Sequence, residues 1–131
     1  MGAMSADIQL PVEEGTFNDY ILDNDAVVHE GSAIGVASGE AHALVNGDVF
    51  VGHAIRGVDN AADGLTVRVR SGVYRLEVTL ASVAQANVGA LVYMTYDGTY
   101  TLSSGSAVKV GRVARYVAAN TCVVEFHALA L

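Results

Sequence analysis

Apolar and polar residues alternate along this chain in short bursts, and the longest burst covers residues 65–80, LTVRVRSGVYRLEVTL. Leu65, Val67 and Val69 alternate with Thr66, Arg68 and Arg70. Period two is the signature of a strand with one dry face and one wet face. After Ser71-Gly72 the phase slips by one, so that Tyr74, Leu76, Val78 and Leu80 form the apolar set opposite Arg75, Glu77 and Thr79. A slip at glycine has two simple causes: a tight hairpin turn at Ser71-Gly72, or a bulge at Gly72 in one long bent strand. The long flanks favour the bulge. The segment is expected at the centre of a sheet, with Val67, Val69, Tyr74, Leu76 and Val78 buried.

Shorter strand-like units surround it. They cover residues 26–29, 33–37, 49–55, 91–96, 99–102, 108–118 and 121–131, with turn signals at 46–48, 58–64, 97–98, 103–106 and 119–120. Residues 81–88, ASVAQANV, lack β-branched density and predict one or two helical turns. About nine short strands, with at most one short helix, describe an all-β domain, either a small curved β-barrel or a sandwich. Glycine recurs inside strands at Ile34-Gly35-Val36-Ala37, Val51-Gly52-His53-Ala54 and Val110-Gly111-Arg112-Val113. Such glycines mark bulges, bends or close backbone approach and suit strong curvature. Their irregular spacing argues against a repeat array.

Residues 5–25, SADIQLPVEEGTFNDYILDND, carry no sustained period, and Pro11 and Gly15 interrupt them. Phe17, Tyr20, Ile21 and Leu22 nevertheless form a sticky patch among acids. The segment reads as an N-terminal extended arm that docks on a partner, with a first edge strand folded onto the body as the equal alternative. Residues 1–4, MGAM, read as a cloning remnant, and residues 26–131 as a single β domain.

A chain of 131 residues with 52% apolar content fits one domain with a real core. No apolar run reaches the length of a transmembrane helix. The N-terminus lacks the basic region and long apolar stretch of a secretory signal. The apolar surplus has a plausible outlet in burial against another copy or another protein. Net charge is −7, which argues against a nucleic-acid partner. The layout is uneven: residues 1–55 hold nine acids and no Lys or Arg, whereas residues 56–131 hold seven basic residues and five acids. The two halves could face different partners or pair head to tail between subunits.

Catalytic and metal patterns are not evident. His29, His42, His53 and His127 show no zinc-type spacing, and His53 reads as a satisfied sheet histidine. Glu13 and Glu14 sit in the arm, where catalytic geometry is hard to hold. Cys122 is alone, reads as a small buried hydrophobe, and on a regular strand faces away from His127. No nucleophile-elbow or phosphate-loop motif occurs. Tyr93, Tyr96 and Tyr100 could line a sugar-binding face, although packing between strands is the commoner use of tyrosine.

Three stretches carry a resemblance: residues 52–74, GHAIRGVDNAADGLTVRVRSGVY; residues 92–102, VYMTYDGTYTL; and residues 110–126, with VGRV and CVVEF. Over residues 31–129 the chain resembles the capsid decoration, or cement, proteins of tailed bacteriophages. The shared pattern is a glycine-turn strand, a G-V-[YF] central strand, a V-Y…D-G hairpin and an [IV]-G strand before the closing strand. The resemblance implies a virion structural protein with no enzymatic activity and no cofactor or metal. It implies binding to the major capsid protein on the outside of an assembled shell, often as a homotrimer, after synthesis in the host cytoplasm. On that reading Phe17, Tyr20, Ile21 and Leu22 are the expected capsid-binding anchors. Acids in residues 5–25 would steer association. A tyrosine-lined carbohydrate-binding module is the rival from another class.

Overall fold

The computed structural model describes residues 16–96, 98–105 and 107–129. The expected cloning remnant, arm residues 5–15, Asp97 of the hairpin turn, Ser106 of the serine loop and residues 130–131 lie outside that set. The fold is all-β, and among the described residues the one helical element is a 3-10 turn at Gln85–Asn87, where helical turns are expected. The strands in chain order are β1 (Phe17–Ile21), β2 (Val27–Val28), β3 (Ala33–Ala37), β4 (Glu40–Ala43), β5 (Val49–Ala54), β6 (Val58–Asp59) and β7 (Thr66–Arg70). They continue as β8 (Val73–Thr79), β9 (Leu91–Met94), β10 (Tyr100–Thr101), β11 (Val108–Ala118) and β12 (Thr121–His127). They form a sheet of order β1-β7-β5-β3-β4, a second of order β10-β9-β11-β12-β8, and the small β2-β6 ribbon. Strands β4 and β6 go beyond the sequence reading, which gave residues 40–43 no element and residues 58–64 only a turn.

Residues 65–80 do not form one strand. Neither β7 nor β8 pairs with the other: β7 lies inside the first sheet and β8 on an edge of the second. The chain changes sheet at Ser71-Gly72, with Gly72 at φ +79°. The phase slip is therefore neither a hairpin nor a bulge. It re-aims the apolar side chains from one core to another, as strands that switch sheets do. Val67 and Val69 are fully buried, whereas Tyr74, Leu76 and Val78, on an edge strand, are half-buried.

The two sheets are built alike. In chain order the first is made of β1, β3, β4, β5 and β7, and the second of β8, β9, β10, β11 and β12. The spatial order of corresponding strands is the same. The registers match residue by residue. Ala33, Ile34, Gly35 and Val36 pair with His53, Gly52, Phe50 and Val49. Leu91, Val92, Tyr93 and Met94 pair with Arg112, Gly111, Lys109 and Val108. Both ladders skip one residue, Val51 in one and Val110 in the other. Beyond the first strand of each sheet a leucine makes a parallel bridge to the opposite edge, Leu22 to Ala41 and Leu80 to Tyr100. Each sheet thus curls until its edges touch at one point, and neither closes into a barrel.

The reason for the curl is the same in both. A Cβ on Gly52 would fall on the Arg70 carbonyl oxygen, and one on Gly111 on the Glu125 carbonyl oxygen. Only glycine lets those strands approach so closely. Residues 17–70 and 75–125 are therefore two units with one topology and one register, an internal structural repeat that glycine spacing alone does not reveal. His42 on β4 also pins the first seam. Its Nδ1 lies 2.6 Å from Asp23 Oδ2 and its Nε2 lies 2.8 Å from Asp48 Oδ2.

Each unit fills its curl with the same positions. Leu22, Ile34, Val51, Ala54, Val67 and Val69 belong to one core cluster. Their counterparts Leu80, Val92, Val110, Val113, Cys122 and Val124 belong to the other. The second cluster also takes Ala33, Leu44 and Phe50 from the back of the first sheet, which joins the units. Strand β5 is buried on both faces from Phe50 to Ala54, which accounts for apolar residues at both of its alternating positions.

Candidate interaction surface

Strand β1 forms an edge of the first sheet, paired with β7 from Phe17↔Arg70 to Ile21↔Thr66. Alternation sends Phe17, Asp19 and Ile21 outward, while Asn18 and Tyr20 are half-buried. Ile21 is 61% exposed and Phe17 41%. Val73, the first residue of β8, is exposed beside Arg70. Arginines frame these apolar side chains. The Arg70 guanidinium lies 5.3 Å from the Phe17 ring centroid, in reach of a cation–π contact. Arg68 donates from Nε and Nη2 to the Asp19 carboxylate at 3.0 and 3.2 Å. That ion pair holds the Asp19 carboxyl below its usual range. Asp19, Arg56, Val58, Thr66 and Arg68 line a shallow depression on this face. A groove beside it runs past Thr16, Arg70, Ser71, Gly72 and Val73 to Tyr74.

The second unit provides an internal comparison. Phe17, Asp19, Ile21 and Arg70 correspond to Arg75, Glu77, Thr79 and Glu125. There the pair that matches Phe17 and Arg70 is an ion pair, Arg75 Nε to Glu125 Oε1 at 3.2 Å. Glu125 also accepts from His127, and both partners, Arg75 first, lower its carboxyl pKa. One backbone framework therefore carries polar pairs in the second unit and exposed apolar side chains in the first. Solvation alone gives no reason for Phe17 and Ile21 to stand where the second unit has Arg75 and Thr79.

Of the four anchors named from the sequence, the structure exposes two. Phe17 and Ile21 lie on the surface. Tyr20 packs against the first unit's core, and Leu22, 1% exposed, belongs to it. Leu22 is thus removed from contact with any partner by its own burial. Residues 17–22 are part of the body, as the edge-strand alternative has it, and the body's core does not begin after residue 26.

Where the units meet, one buried polar group stands among aromatic rings. His53, 4% exposed, places Nδ1 2.5 Å from Tyr74 Oη and Nε2 3.0 Å from Tyr100 Oη. A neutral imidazole has one donor and one acceptor nitrogen, so one tyrosine accepts and the other donates. Burial lowers the His53 pKa to about 4, and burial also raises that of Tyr74. The Phe126 ring touches His53, Tyr74, Tyr100 and Phe50, with centroids 4.6 to 6.1 Å away. The cluster is a polar pin within a core, in line with the sequence reading of His53 as a satisfied sheet histidine.

The three tyrosines proposed for sugar binding do not share a face. Tyr100 pairs with Met94 and turns inward, Tyr93 alternates outward on β9, and Tyr96 lies beyond that strand in a bridge to Val45. Cys122 is buried, while His127 points outward. Among the described residues no group of three or more His, Cys, Asp or Glu side chains gathers to hold a metal. The Asp23–His42–Asp48 link was missed in the sequence, because its members are 19 and 6 residues apart and only the curl of the sheet joins them. No protein-family model and no curated protein sequence matches the chain.

Proposed function

We propose that this protein is a non-enzymatic virion component that binds the outer surface of an assembled phage capsid and stabilises it. The carrying observation is the β1–β7 face. Phe17 and Ile21 are exposed there beside Arg68 and Arg70, at positions where the second unit has polar pairs. Contact residues that carry binding energy are often aromatic or arginine side chains entering a desolvated pocket, and Phe17 under Arg70 has that character. The resemblance to decoration proteins supplies the partner: the major capsid protein, engaged by a homotrimer on the capsid exterior. Residues 5–15 add acids that would raise the association rate.

The experiment compares binding to assembled capsids and to free coat protein, with wild type and a Phe17→Ser/Ile21→Ser variant. Wild type is expected to bind capsids and not free coat protein. The variant should keep its circular dichroism spectrum and bind at least about tenfold more weakly, a loss of roughly 1.4 kcal/mol. A folded variant that binds capsids as tightly as wild type overturns the assignment of this face. Sedimentation of the free protein is expected to show a trimer.

A further inference from the structure

The internal repeat draws attention to the outer face of the second sheet. In the first unit the corresponding face is a docking face: Ala33 and Phe50 join the second unit's core, and His53 bonds to Tyr74 and Tyr100. The counterparts of Ala33, Phe50 and His53 are Leu91, Lys109 and Arg112, set by identical register around Gly111. Here Lys109 and Arg112 are exposed, and Leu91, Lys109, Val110, Gly111, Arg112 and His127 line a depression. Its floor is bare because Gly111 cannot carry a Cβ against the Glu125 carbonyl.

The lining is cationic and contains no acid. Among the described ion pairs, neither Lys109 nor Arg112 meets a carboxylate. Arg112 is held in place by donation from Nη1 to the Gly89 carbonyl at 2.8 Å. That contact uses one of the five guanidinium N–H donors. Glu125, the cross-strand partner of Arg112 on β12, is bound instead by Arg75 and His127. In a chain of net charge −7, two cations outside the described ion pairs, around a bare glycine floor, are a poor use of a merely solvated surface. We propose that this depression is an oxyanion site, which takes one phosphate or carboxylate group between Lys109 and Arg112. Arginine suits either, since its fork matches two oxygens of both groups.

The test follows the backbone amides of the full-length protein by NMR at fixed pH and low salt. Inorganic phosphate, acetate and a short glutamate-rich peptide are added in separate titrations. Saturable shifts are expected at Leu91, Gly111, Arg112 and His127. Lys109→Gln/Arg112→Gln should weaken binding at least about tenfold. Arg115→Gln, an exposed change on the same strand outside the depression, should bind as wild type does. Saturation by peptide well below the acetate concentration assigns the site to an acidic polypeptide. Tightest binding of phosphate assigns it to a phosphate group. Shifts that rise linearly with concentration, or that persist unchanged in the double variant, overturn the proposal. It is independent of the capsid reading, whose face lies on the other unit.

Discussion

His53 couples folding to pH through its burial. Its pKa is about 4 in the folded protein, against about 6.5 when exposed. Between those values the unfolded chain binds a proton that the folded one refuses. Stability is therefore fully present above about pH 6.5 and falls as pH drops toward 4. The loss over that window amounts to about 3 kcal/mol. Replacing His53 with Gln keeps a donor and an acceptor but removes the titration. Urea denaturation at several pH values should show a steeper acid loss in wild type than in His53→Gln, and equal slopes would remove His53 as the cause. The sequence placed this histidine on a strand and satisfied it. It could not name Tyr74 and Tyr100 as the partners, since these lie 21 and 47 residues away on another sheet.

Strand β1 separates two adjacent side chains with opposite roles. Leu22→Ala should cost about 2–5 kcal/mol, because it opens a cavity among Val28, Val51 and Val67. Ile21→Ala, at an exposed site, should stay within about 0.5 kcal/mol. Chemical denaturation of the two variants checks both values. Removal of residues 1–25 should consequently destabilise the fold, since it takes away β1 and Leu22 together. The strand was hard to read because Phe17 and Ile21 occupy its wet face and blur the alternation with Tyr20 and Leu22. Strand β7 was easy because its wet face holds Thr66, Arg68 and Arg70. Residues 65–80 show the limit of periodicity. The slip at Gly72 was plain, but period two reports which side is dry and not which core it faces.

At the scale of the whole molecule, the second unit's core cluster draws Ala33, Leu44 and Phe50 from the first, so the two units should unfold together. Val67→Ala in the first unit and Val92→Ala in the second should lower one common midpoint, with a single transition by fluorescence and by circular dichroism. Two resolved transitions would show separable units. The all-β class was legible from strand spacing and turn chemistry, but the internal repeat was not. Leu22/Leu80, Val49/Val108, Val51/Val110, Gly52/Gly111, Thr66/Thr121 and Val69/Val124 keep their identity, while many other pairs, such as Phe17/Arg75 and Phe50/Lys109, exchange apolar for polar. The β6 region also has a shorter counterpart in the second unit, so the offset between the halves changes along the chain. One further consequence lies in the link between the units. Thr16 accepts a backbone hydrogen bond from Ser71, and Ala128 donates one to the Gly72 carbonyl. The first and last described segments thus converge on the dipeptide that joins the halves. A circular permutant opened between Ser71 and Gly72, with a flexible linker between the old termini, would exchange the order of the units in the gene and leave every ladder intact. Such a permutant should fold with the wild-type spectrum, and its ends would offer an attachment point at the junction of the two sheets.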